Sequence, residues 1–181
     1  REHDPDGCFR SCCSWRARRG GAYVAATRSV ETPAYSVVKT DGDFELRRYP
    51  EMALAQVTRA CTRRKSVQSG FSPLARYIFA KDHAGEKIAM TAPVVQKPIN
   101  DKWTISFILP SSVSAEDAPK PSGDITIVTE PGRLMASIRF SGVWSDRRFL
   151  EAANRLKQWI EDEDLSIQSP FEYGYYNDPF T

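Results

Sequence analysis

Apolar and polar positions alternate in short runs along most of this chain, and the period switches from two to helical spacing only twice. Phe44-Glu45-Leu46-Arg47-Arg48-Tyr49 alternates with period two, the pattern of a half-buried strand. Residues 34–39 form a strand before it, joined through Thr40-Asp41-Gly42-Asp43, where Asp-Gly predicts a hairpin turn. Pro50-Glu51 interrupts the alternation, and residues 52–58 make the next strand. Residues 62–69 are polar and basic and read as a loop. Residues 70–80 follow with helical spacing, Ser72 as N-cap and Pro73 at the first helical position. Residues 86–95 and 103–109 read as strands. Residues 110–123 form a loop rich in Ser, Pro and acids, too long for a plain turn. Residues 125–129 and 134–140 read as a hairpin around Glu130-Pro131-Gly132-Arg133. A second helix begins at Ser145, with Asp146 complementing the positive end of its dipole. Phe149, Ala152, Ala153, Leu156, Trp159 and Ile160 supply its apolar stripe. Residues 171–176 are the last strand.

The order is therefore hairpin, helix, strand, then hairpin, helix, strand. Tyr49-Pro50-Glu51 has a counterpart in Glu130-Pro131-Gly132, which fits an internal two-fold repeat. Strands interrupted by only two helices predict an α+β fold, an antiparallel sheet with helices packed on it.

With 181 residues the chain suits one domain with a real core. The net charge is +2, and the surplus sits in the first thirty residues, where Arg1, Arg10, Arg16, Arg18, Arg19 and Arg28 face only Glu2, Asp4 and Asp6. Residues 1–31 are accordingly expected to be a basic, disordered leader and residues 32–181 the domain. So mild a charge does not argue for nucleic acid. The leader is rich in Arg, Ser and Cys and resembles the tail of a transit peptide, plastid more than mitochondrial, with a plain N-terminal extension as the alternative. No run of 18 apolar residues occurs. Cys8, Cys12 and Cys13 lie in the leader and Cys61 alone in the domain, so there is no disulfide framework. That usage favours a reducing compartment, stroma or cytosol.

Catalytic readings find little support. The two histidines are His3, in the leader, and His83; no phosphate loop, HExxH, GxSxG or CxxC motif occurs in the domain. A Cys61 nucleophile served by His83 lacks an activating motif. The first helix carries more information. Phe71, Leu74, Ala75, Tyr77, Ile78, Phe79 and Ala80 cover nearly its whole circumference. One reading is a deeply buried helix. The other is a helix with one face on the sheet and another roofing an apolar cleft, along a Phe71, Ala75, Phe79 stripe, with Arg76 at the border to meet an anionic group.

Three segments in order, DFELRRYP at residues 43–50, KIAMTAPV at 87–94 and YGYYNDPFT at 173–181, resemble the SOUL family of heme-binding proteins. The resemblance implies a pseudo-two-fold, distorted antiparallel β-barrel flanked by two helices. It implies non-enzymatic binding, carrying or buffering of heme or metal-free porphyrin in an apolar cleft beside the first helix. The cleft positions it marks are Phe71, Ala75 and Arg76, with Arg76 pairing with a propionate; Leu74 and Phe79 of the same helix and Met90 as a wall contact complete the candidate cofactor-binding set. His83, just past the helix, is a candidate axial ligand to iron. Family members continue past the Asn-Asp-Pro-Phe segment with a further strand, whereas this sequence stops at Thr181. The alternative on the same architecture is a gyrase-inhibitor-like domain that binds or hydrolyses small amphipathic molecules. That version needs an acidic residue inside the cleft, and the sequence does not place one there. A third alternative, a partner-binding module, rests on the 110–123 loop alone, and protein partners are not identified.

Overall fold

The alternating segments become paired strands wherever a neighbour can take up their backbone groups. The computed structural model describes residues 30–141 and 145–176. In chain order these form β1 (Ser36–Asp41), β2 (Phe44–Tyr49), β3 (Met52–Arg59), α1 (Arg63–Ile78), β4 (Val94–Ile99), β5 (Lys102–Ile108), β6 (Thr126–Glu130), β7 (Arg133–Ile138), α2 (Asp146–Asp162) and β8 (Tyr173–Tyr175). Residues 1–29 of the expected leader and residues 177–181 of the C-terminal motif lie outside the described residues.

The strands make two antiparallel sheets, one ordered β1-β2-β7 and one ordered β6-β3-β5-β4-β8. The fold is thus α+β, with two helices. Hydrogen bonding among the described residues does not close a single barrel. The β1–β2 hairpin forms as expected around Gly42, whose φ of +56° favours glycine.

The expected hairpin across residues 125–140 is overturned. β6 pairs with β3, and β7 pairs with β2, in the other sheet. Pro50 and Pro131 explain the difference. Neither has an N–H for a ladder, so at each the chain turns a corner from one sheet into the other instead of folding back. The exchange is reciprocal: β2 leads into β3, β6 leads into β7, and the partners are β2–β7 and β3–β6. The two corners touch, because a Cβ on Gly132 would lie 3.2 Å from the Tyr49 carbonyl oxygen. This pairing is the structural form of the repeat seen in the two proline turns.

Two further boundaries move. β4 begins at Val94, and residues 86–93 are irregular. The Ile88 amide is committed to the Ile78 carbonyl (2.8 Å), the Ala92 amide to Glu31 (2.8 Å), and Pro93 has no donor. The first helix starts at Arg63, not at residue 70, so Ser72 is mid-helix and Pro73 lies inside it. Val67, Gly70, Leu74 and Ile78 form its buried stripe, and the polar stretch before Gly70 is its first two turns. Gly70 hides this pattern from a hydrophobicity count. It lets the helix approach the sheet closely, since a Cβ would stand 3.0 Å from the Ile105 side chain.

α1 lies on β3 and β5, and its Val67, Leu74, Tyr77 and Ile78 meet Ala55, Val57, Ile105, Phe107 and Leu109 in the main core. Each fully buried aliphatic side chain of this kind contributes roughly 1.5–3 kcal/mol. α2 buries Leu156, Trp159 and Ile160 against Phe44, Leu46, Ala136 and Ile138 of the smaller sheet. The Trp159 ring stacks on Phe44 with centroids 5.3 Å apart, and its Nε1–H donates to Asp41 (2.9 Å). Ser145 caps this helix as expected, accepting from the Arg148 amide (3.3 Å).

Candidate functional site

α1 has three kinds of positions. Leu74, Tyr77 and Ile78 are fully enclosed. Arg64, Lys65, Gln68, Ser72 and Arg76 face water. Between them run Phe71 and Ala75, half-buried, and Phe79, which remains 46 % exposed. Phe71 sets its ring edge-on to Phe107 (centroids 5.2 Å apart). Met90, on the irregular segment that returns past the helix, is half-buried against the same core cluster as Phe71 and Ala75. The structure thus makes Phe71, Ala75 and Met90 the open margin of one core and leaves Phe79 beyond its end. Leu74 belongs inside that core; a ligand would reach it only by displacing packed side chains.

The end of α1 is firmly built. Ala80 takes a left-handed φ of +52°, the Ala80 amide donates to the Tyr77 carbonyl, and the Lys81 amide donates to the Arg76 carbonyl. That is a Schellman closure with Ala where Gly is usual. Tyr77 reaches the other way, its hydroxyl donating to the Pro119 carbonyl (2.7 Å), which ties the long 110–123 loop to the helix. Its phenol is pushed up by burial.

Arg76 is 59 % exposed at its side chain and forms a two-pronged pair with Asp82, Nε lying 3.0 and 3.1 Å from the two carboxylate oxygens. The pair holds the Asp82 carboxyl below its ordinary range. His83 is engaged at both ring nitrogens. Nδ1 accepts the Gly85 amide (3.0 Å) and so carries no proton; Nε2 lies 2.8 Å from the Tyr77 carbonyl and must donate to it. A neutral imidazole so fixed has no lone pair left for a metal.

The other end of α1 is anchored by buried polar groups that sequence reasoning missed. Gln96, fully buried on β4, donates to the Arg63 carbonyl and to Ser66 Oγ (both 2.7 Å) and accepts from the Tyr175 hydroxyl (2.8 Å). Arg63 donates to Tyr175 (2.9 Å) and to Asp146 at the start of α2 (3.0 Å), with its guanidinium 4.5 Å from the Phe149 ring centre. Burial pushes the Tyr175 phenol up to about 12, against the opposing pull of Arg63. These partners lie up to 112 residues apart, so no local signal marks them.

A second concavity lies away from the predicted strip. A cleft of about 530 Å³ opens between the first sheet-to-sheet corner and the 110–123 loop. Met52, Ala53, Ile108, Leu109 and Val113 are among its apolar walls, and Glu31, Glu51, Glu116 and Asp117 stand around it; no Lys, Arg or His lines it. In volume it suits a small ligand. In charge it opposes a dianionic one, whereas the α1 strip has a guanidinium at its border. A ligand with two carboxylates would therefore meet like charge in this cleft.

Fold and strip define an α+β domain of reciprocally paired strand–helix units, with an open apolar margin beside one helix. Its three motif segments find their match as well: the chain belongs to the SOUL heme-binding protein family, whose family model matches residues 30–181. Heme-binding protein 2 of Homo sapiens is 27 % identical over 174 residues, covering 88 % of this chain and 84 % of its own length. Heme-binding protein 2 of Mus musculus is 26 % identical over 178 residues, covering 89 % and 85 %. Among solved structures, a hydrolase from Listeria innocua aligns at a TM-score of 0.50 and 15 % identity, covering 76 % of this chain and 87 % of its own. The EcmrR C-terminal domain aligns at the same score and identity, covering 78 % and 96 %. Likeness at that identity is one of fold alone.

Proposed function

We propose that this domain binds heme or a metal-free porphyrin against the Phe71, Ala75, Phe79 and Met90 margin of α1 and carries or buffers it without catalysing a reaction. The observation that carries this reading is the half-open apolar strip bordered by Arg76 on a helix that needs only one buried stripe. Membership of the SOUL family and the name of both relatives support a tetrapyrrole as the ligand.

The residues fit a porphyrin's two chemistries. A ring face offers a few hundred Å² of apolar surface, worth several kcal/mol at about 25 cal/mol per Å² before any metal bond. Arg76 supplies a planar fork for a propionate, which orients the ring more than it holds it. Iron finds no such fit at His83, whose Nδ1 lone pair is taken by the Gly85 amide, so the reading assigns that histidine no axial bond. A site of this kind is shallow and exchangeable, which suits transfer.

Hemin titration followed at the Soret band tests it. Saturation near one equivalent is expected, weakened by Phe71→Asp and by Arg76→Glu. His83→Ala should leave the bound spectrum unchanged. A titration with no saturable shift would contradict the proposal.

A further inference from the structure

We infer that Asp82 is a built-in competitor for the ligand's carboxylate, and so a specificity-determining residue of the α1 site; this rests on the porphyrin reading above. The guanidinium edge with which Arg76 would clasp a propionate is already clasped by a carboxylate. Nε faces both Asp82 oxygens at 3.0 and 3.1 Å, and Nη2 pairs with Oδ1. This is the bidentate geometry that Arg offers any carboxylate.

Position makes the pairing more than a chance surface contact. A carboxylate just past a helix C-terminus sits where the helix dipole and free carbonyls already concentrate negative charge, so it is locally disfavoured. A residue that breaks a local rule is a place to look for function. Asp82 is also delivered by a hydrogen-bonded turn. The left-handed Ala80, the Lys81-to-Arg76 bond and His83, fixed at both nitrogens, bracket it on either side. The Asp82 side chain is only 19 % exposed, while Arg76 is 59 % exposed. The arginine is the more exposed partner.

The consequence is a site that takes its own carboxylate when empty. A ligand with propionates must displace Asp82 from the fork or bind beside it against its charge. A ligand with no free carboxylate gains nothing from Arg76 and loses nothing to Asp82.

The test compares hemin with hemin dimethyl ester on the whole chain. Asp82→Asn should bind hemin about two- to five-fold more tightly, the range expected from removing one exposed ion pair. Its affinity for the dimethyl ester should not change. Arg76→Gln should weaken hemin binding, and adding Asp82→Asn to it should restore nothing. Equal hemin affinity in wild type and Asp82→Asn, or an equal gain for the ester, would overturn the inference while leaving the porphyrin reading intact. Failure of wild type and every variant to bind hemin would overturn both.

Discussion

α1 and α2 occupy matching places in the two halves of the fold, yet one is finished as structure and the other is left open. α2 lays Ala152, Leu156, Trp159 and Ile160 toward the interior and turns charged residues outward, with Arg147–Glu151 and Lys157–Glu161 four residues apart. Apart from Leu150, its outer face is polar. α1 buries a comparable stripe but keeps Phe71, Ala75 and Phe79 in a second, half-open row. Their beginnings differ too. α2 is capped by its own Ser145, whereas Thr62 makes no side-chain cap bond and the first turn of α1 depends on distant Gln96 and Tyr175.

The sharpest break would come from the two exposed apolar residues. Phe79→Ser should cost roughly ten- to a hundredfold in hemin affinity, the worth of one aromatic contact, with little change in melting temperature. Leu150→Ser, 61 % exposed on α2, should leave hemin affinity unaltered. If the two variants behave alike, the helices do not differ in function.

Alkaline pH should separate their anchors. The Tyr175 phenol titrates at about 12 when folded against 10.0 normally, because burial opposes its charge. The folded state therefore holds the proton that the unfolded chain has lost. Stability is complete below about pH 10 and falls as the pH rises toward about 12. Tyr49 and Tyr77, raised chiefly by burial, act in the same direction. Urea midpoints should drop across that window, and less steeply in Tyr175→Phe; parallel slopes would remove Tyr175 from the account.

Smaller effects test the caps. Ser145→Ala should destabilise by about 0.5–2 kcal/mol and Thr62→Ala by much less, read from urea melts. Both helices end with a left-handed residue, Ala80 at φ +52° and Asp164 at φ +55°, each followed by an amide that closes back five residues, Lys81 to Arg76 and Leu165 to Ile160. Ala80→Gly should stabilise by up to about 1 kcal/mol, while Asp164→Gly gains less because Asp tolerates that conformation better. The reverse order would mean that the α1 turn carries no strain.

These contrasts also show what the sequence could reveal. α2 was legible in full, because its cap, its stripe and its first-turn acid all act within one helix. α1 was legible only from Gly70 onward. Its earlier turns are buried through Ser66, Val67 and Gly70, and two of those three count as non-apolar. Most strands were recognisable by alternation, but the one expected at residues 86–95 forms only from Val94 on, and of the pairings only the β1–β2 hairpin was legible. Nothing local says that Pro131 sends β7 to β2 in the other sheet. At the site, the apolar row along α1 showed in the spacing of residues 71, 75 and 79. The Arg76–Asp82 pair and the double engagement of His83 did not, since both arise from the turn after the helix.

The central claim is that ligand sits on the α1 margin and not in the acid-lined cleft. Amide NMR shifts of the full chain titrated with diamagnetic zinc protoporphyrin test it most directly. Shifts centred on residues 71–79 and 87–91 are predicted. Shifts centred on residues 31–34, 50–53 and 110–117 would place the ligand in the other cleft and contradict the account.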